Sequence, residues 1–170
     1  MCDSNDCLML EVTNEQIQDF IDTACQLMEI DGSAIDWWWD DETEMGNTWG
    51  ACYGDWEEQT IEINCSTPRK ELWEVIAHEL IHCKQHQQGA LNEAYEGVVV
   101  PGVYWKDLET GEQTFYECMD IYAYINHPVT DQQIHDRYMS YPWEQEAYAG
   151  QSLLAFKTLN AIKRRGSDHV

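Results

Sequence analysis

The strongest constraint on this chain is the stretch Glu74-Val75-Ile76-Ala77-His78-Glu79-Leu80-Ile81-His82, which sets the pattern H-E-x-x-H inside an apolar segment of helical period. A helix turns about 100° per residue, so His78 and His82, four apart, stack on one face and can present two imidazole nitrogens to a single zinc ion. Glu79 lies one step round. That offset takes it off the ligand row and sets its carboxylate beside a zinc-bound water, where a general base must stand. Leu72, Trp73, Ile76, Ala77, Leu80, Ile81 and Cys83 fill the apolar side of the same wheel, so the two histidines interrupt a helix otherwise built for burial. The competing reading is a surface pair, because Glu74, Gln85 and His86 share the histidines' sector.

Such a helix needs a core to pack on. At 170 residues and 44% hydrophobic, with eight Trp and nine Tyr, the chain suits one globular domain over residues 1–170, with 1–12 a poorly ordered tail. No run approaches the roughly eighteen apolar residues of a membrane span, and Met1 to Cys7 lacks the positive flank and apolar stretch of a signal peptide. A cytoplasmic location is expected. Seven cysteines form no C-x-x-C, and reduced thiols are the expectation, with Cys83 serving packing.

The net charge is −23, and residues 1–68 hold 17 Asp or Glu with no Lys or Arg. Such a surface repels nucleic acid and anionic membranes, which removes both as partners. Three causes compete for it: a high-salt habitat, attraction of basic partners, and mimicry of DNA's phosphate charge.

Along the chain, Thr13 to Gln16 reads as a capping box, followed by Ile17, Phe20, Ile21, Ala24, Leu27 and Met28 on one helical face. Three β-rich segments come next, near Ala34 to Trp39, Thr48 to Tyr53 and Gln59 to Cys65, and predict a small antiparallel sheet. In the Trp37-Trp38-Trp39 run, alternation puts two rings toward the core and one outside. Thr67-Pro68 offers an N-cap and first turn for the H-E-x-x-H helix. Gly89 and Gly97 mark loops, and Val103 to Lys106 and Gln113 to Tyr116 read as hairpin arms. Cys118 to Ile125 fits strand or helix, Thr130 to Gln133 opens a short helix toward Met139, and Tyr141-Pro142 opens the last helix, which runs to Arg165 and stops at Gly166. The fold class is therefore α+β, a small sheet packed on the H-E-x-x-H helix with helices at both ends.

Zinc catalysis requires three protein ligands and one open position, so a distant residue must complete the pair. The continuation H-E-x-x-H-x-x-G-x-x-H is absent, because Gln85 and Gln88 stand where Gly and His would be. His86 lies about 12 Å along the helix from His78, too far to share its ion, and reads as a surface or supporting residue. On the last helix Glu144 heads a stripe of Tyr148, Gln151, Ala155, Leu159 and Ile162, whereas Glu146 falls in the company of Lys157 and Arg164. An inward carboxylate is costly unless it is paired or bound to metal, so Glu144 is the candidate third ligand. His127 and His135 are next in line.

The pair His78 and His82, followed by Pro142-Trp143-Glu144-Gln145-Glu146-Ala147, resembles the gluzincin zinc metallopeptidases, particularly small ones of bacteria and phages. The resemblance covers mainly residues 60–88 and 141–151. It implies a zincin-like fold, Zn2+ at His78, His82 and Glu144, Glu79 as base, and a cleft-lining strand at Thr60 to Asn64 that pairs with extended substrate. Many gluzincins carry Asp four residues after the ligand Glu, directed at a zinc-bound His; here Tyr148 stands there, so that support must come from elsewhere. The expected activity is peptide-bond hydrolysis, with basic peptides favoured by the acidic surface. A second oxyanion donor is open among Tyr138, Tyr141, Tyr148, His127 and His135. The alternative is a non-enzymatic acidic DNA mimic or interaction protein in which any zinc is structural or vestigial.

Overall fold

The computed structural model describes residues 12–40, 49–94, 102–117 and 131–167. Helix α1 (Asn14–Met28) starts on the Thr13 capping box, in which Gln16 N–H donates to Thr13 Oγ1 and Thr13 N–H donates to Gln16 Oε1. It ends where Glu29 turns left-handed, with φ 58°. Its inner face, Ile17, Phe20, Ile21 and Ala24, is fully buried.

Three strands follow: β1 (Ile35–Asp40), β2 (Gly50–Gly54) and β3 (Gln59–Asn64). The sheet order is β1-β3-β2, with β1 parallel and β2 antiparallel to β3. The expectation of an antiparallel sheet is thus corrected to a mixed one. Neighbours in sequence read as hairpin partners, but only β2 and β3 form a hairpin. β1 instead pairs with β3, and the register puts Ile35, Trp37 and Trp39 in phase with Gln59, Ile61 and Ile63, so both apolar rows face the helices. Trp37 and Trp39 donate their indole N–H groups to Gln18 and Asn14 of α1, and Trp38 points out.

Helix α2 (Leu72–Gln87) carries the H-E-x-x-H pattern. It begins four residues later than Thr67-Pro68 predicts. The Thr67 hydroxyl donates to the Trp49 carbonyl (2.9 Å), tying the approach to β2 instead of capping the helix, and Pro68 opens a turn closed by Glu71 and Leu72 N–H. After Gly89, at φ 67°, the chain reverses into β4 (Leu91–Ala94), which pairs with β5 (Gly102–Lys106); β6 (Gln113–Glu117) completes a second, antiparallel sheet. β4 escapes sequence reading because Leu91-Asn92-Glu93-Ala94 has no alternating apolar pattern. Helices α3 (Asp131–Tyr138) and α4 (Pro142–Ser167) follow.

The core joins α1, the inner face of the first sheet, α2 and α4: Leu72, Ile76, Leu80 and Cys83 pack with Phe20, Ile61, Ile63 and Ala147, all without solvent contact. Gly150 permits the close approach of α4 to α2, since a Cβ there would stand 2.9 Å from Ile81 Cδ1. Cys65 is disulfide-bonded, which corrects the expectation of uniformly reduced thiols. The expectations for residues 1–11, Gly97, Cys118 to Ile125 and His127 lie outside the described residues. No helix among the described residues is long and apolar enough to cross a membrane.

Candidate metal centre

α2 and α4 bring together the three residues the sequence singles out as ligands. His78, His82 and Glu144 are 6%, 6% and 4% exposed. His78 Nε2 stands 3.1 Å from His82 Nε2 and 3.2 Å from Glu144 Oε2, and His82 Nε2 stands 3.5 Å from Glu144 Oε1. Zinc bonds of roughly 2.0–2.1 Å in a tetrahedron separate ligand atoms by roughly 3.3 Å, the scale of these contacts. With one ligand atom per residue, all lie within 4.8 Å of one another.

The outer contacts decide which nitrogens are available. His78 Nδ1 lies 2.8 Å from Gln151 Oε1, and His82 Nδ1 lies 2.8 Å from Gln85 Oε1. The Gln85 amide nitrogen is committed to the Trp143 carbonyl and Glu146 Oε2, both at 3.1 Å, so only its oxygen can face His82. A carbonyl oxygen accepts, which fixes the proton on Nδ1 of each neutral ring and turns both Nε2 lone pairs toward the carboxylate. Three acceptors converging on one buried point require a cation. The donor set of two imidazoles, one carboxylate and no sulfur fits zinc.

The Glu144 carboxylate also favours a proton on His82. Burial opposes charge on His82, but the Glu144 hydrogen bond and the charges of Glu79 and Glu144 outweigh it and raise its pKa. Burial likewise pushes Glu144 up, yet hydrogen bonds to His78 and His82 hold it down at about 2.

Glu79 is 6% exposed, and burial raises its pKa against the lowering influence of His82 and His78. Its side chain rests on the start of β2. A Cβ on Gly50 would lie 2.8 Å from both Glu79 Oε1 and Val75 Cγ1, so a larger residue there would push these side-chain ends aside. One residue pair further, the Cys52 and Cys83 sulfurs stand 3.5 Å apart, and β2 therefore runs along the Val75, Glu79, Cys83 row of α2. This corrects the cleft strand. Residues Thr60 to Asn64 lie in β3, whose two edges are taken by β1 and β2, while the outer edge of β2 has no partner strand among the described residues.

Two tyrosines flank the cluster. The Tyr138 hydroxyl hydrogen-bonds Glu144, and its pKa is raised by burial and that carboxylate, although the side chain as a whole is 41% exposed. The Tyr148 ring meets His78 edge-on with centroids 4.5 Å apart, and burial with the charges of Glu144 and Glu79 raises its pKa. Tyr141 instead stacks on Trp143 at 4.5 Å, and His135 is exposed beside Asp136. His86 is corrected from a surface position: it is 2% exposed, its Nδ1 has no hydrogen-bond partner, and burial lowers its pKa to about 4. Glu146 is exposed, as its wheel position predicts, but Gln85 is its hydrogen-bond partner.

Sequence reasoning missed Gln85, Gln151, Gly50 and the particular part of Tyr138. Gln151 carried a signal, an amide on the same stripe as Glu144. Comparison of the chain with protein-family models, curated proteins and solved structures finds no match in any of the three. What stands is an α+β chain with a buried His-His-Glu group that can hold a metal ion.

Proposed function

We propose that this protein is a zinc-dependent peptidase of gluzincin type, with His78, His82 and Glu144 holding Zn2+ and Glu79 acting as general base. The observation that carries this reading is the convergence of both Nε2 lone pairs and a carboxylate, with each Nδ1 proton committed to a glutamine. A structural zinc takes four protein ligands, whereas this set has three and leaves a position open. Glu79, buried and with its charge felt by all three, stands outside that set, as a base would.

When bound, zinc would supply Lewis acidity, making a water more acidic and polarising a carbonyl. Glu79 takes the proton of the attacking water and delivers it to the leaving amine, a task suited to a carboxylate whose pKa burial has raised. Tyr148, whose ring lies against His78, is the proposed donor to a developing oxyanion, because the single Tyr138 hydroxyl proton is already given to Glu144. β2 supplies the backbone for an extended substrate: the pairing of Trp49 with Asn64 sends the N–H and C=O groups of Gly50 and Cys52 away from β3. A scissile peptide lying along that edge would pass Glu79 at Gly50.

The experiment is hydrolysis of a mixed peptide library, read by mass spectrometry, by the zinc-loaded protein and its Glu79→Gln variant. Cleavage by the first and none by the second is expected, at equal zinc content. Products from both at the same rate would remove Glu79 from the mechanism.

A further inference from the structure

The sheet face turned away from α2 carries a second feature, which the metal centre does not use. Alternation places Asp36, Trp38 and Asp40 of β1, Glu62 of β3 and Tyr53 of β2 on this outer face, with Trp49 in phase just before β2. Trp38, Trp49 and Tyr53 are 45%, 45% and 48% exposed, a large aromatic surface for water to cover. The rings stand on the two outer strands, separated by two strand spacings of about 4.8 Å each. Between them β3 offers the half-buried Thr60 and Glu62, and Asn64 at its end is buried. The result is a trough with aromatic walls and a carboxylate on its floor.

Its electrostatics have one sign. Glu62 is the direct cross-strand neighbour of Trp38, and Asp36 and Asp40 flank Trp38 on its own strand. Tyr53 hydrogen-bonds Glu62 and feels the charges of Glu62, Glu79 and Asp40. Residues 1–68, from which this face is built, contain no Lys or Arg. An ammonium or guanidinium group within about 6 Å of an indole centroid is held by the ring, and here the same group meets a carboxylate. Because rings and acids alternate along the strand direction, a row of cations spaced as in an extended chain matches better than a single small cation.

We propose that the outer face of the β1-β3-β2 sheet is a docking surface for an extended, Lys- and Arg-rich polypeptide segment of a partner protein. The segment lies along β3 with cationic side chains over Trp38 and Tyr53 and beside Glu62. Because α2 and the metal ligands occupy the other side of the sheet, docking persists when metal is removed by a chelator. The acidic half of the chain then has a local purpose, since it attracts such a segment over a Debye length of about 8 Å at physiological salt.

The test is titration of the full chain with a fluorescent decapeptide of alternating Lys and Gly, in the presence of EDTA. Trp38→Ala with Tyr53→Ala, which changes no charge, should weaken binding at least tenfold. Glu62→Gln should weaken it several-fold, and Glu109→Gln with Glu112→Gln, which removes two exposed charges from the β5–β6 turn, should leave it within about twofold. Equal losses in the aromatic and turn variants, or none in the aromatic one, would overturn the proposal in favour of bulk charge. In the parent protein, which involves no risk of misfolding, bound peptide should protect Trp38 and Trp49 from oxidation by N-bromosuccinimide; unprotected indoles at saturation would also overturn it.

Discussion

Replacing Gln151 by Leu removes the acceptor of the His78 Nδ1 proton while keeping a side chain of similar size. The bond is 2.8 Å long, and His78 is only 6% exposed, so water cannot readily take over. A buried donor left without a partner costs about 1–3 kcal/mol. At 1.4 kcal/mol per factor of ten, that is roughly 5- to 150-fold in zinc affinity, overlapping the 10- to 100-fold associated with outer contacts of metal-bound histidines. Competition against a chromophoric chelator at fixed pH measures the change, and melting in EDTA separates metal binding from loss of fold. Gln151→Glu should restore affinity, because a carboxylate accepts the same proton more strongly. Zinc affinity unchanged in Gln151→Leu would refute the claim that this amide sets the tautomer of His78.

Gly50→Ala should keep zinc yet slow hydrolysis, because its Cβ would arrive 2.8 Å from Glu79 Oε1 and Val75 Cγ1; overpacking of this kind costs about 1–3 kcal/mol, read as a lower Tm. Glu144→Ala should lose zinc more completely than any outer-contact variant, whereas Glu146→Ala removes one acceptor of Gln85 and should cost only about 0.5–1.5 kcal/mol of stability. Without metal, His82 and Glu79 both hold protons more tightly folded than unfolded, so their contributions are full below the ordinary values of 6.5 and 4.5 and are lost as pH rises. The Glu144 contribution has the opposite sense: it is full above 4.5 and lost as pH falls toward 2. Thermal melts in EDTA should therefore show Tm falling above pH 6.5, and saturating zinc should reverse that slope. A Tm that rises with pH in EDTA would count against the raised pKa of His82.

Much of the site was legible in the sequence because helical periodicity is a local property. The spacing of His78 and His82 and the apolar stripe headed by Glu144 can be read on two separate wheels, and both residue sets lie on helices, although the first helix starts four residues later than its capping signal predicts. What could not be read there is long-range. Whether β1 pairs with β2 or β3 depends on which apolar rows can face α1 and α2 together, and the strand sequences satisfy either partner. The outer contacts are a similar case. Gln85 sits among polar neighbours on its wheel, and only the packing of α4 against α2 turns that side inward and buries it. Gly50 looks like an ordinary turn glycine until Glu79 is placed against it. The Cys65 disulfide leaves no spacing signature at all.

Zinc K-edge X-ray absorption on protein purified without chelator tests the central claim most directly. The proposed function predicts one zinc per chain with two imidazole nitrogens and two oxygens at roughly 2.0–2.2 Å and no sulfur shell. A shell at roughly 2.3 Å would place the ion on thiolates, and protein purified without zinc that binds none when it is supplied would contradict the centre altogether.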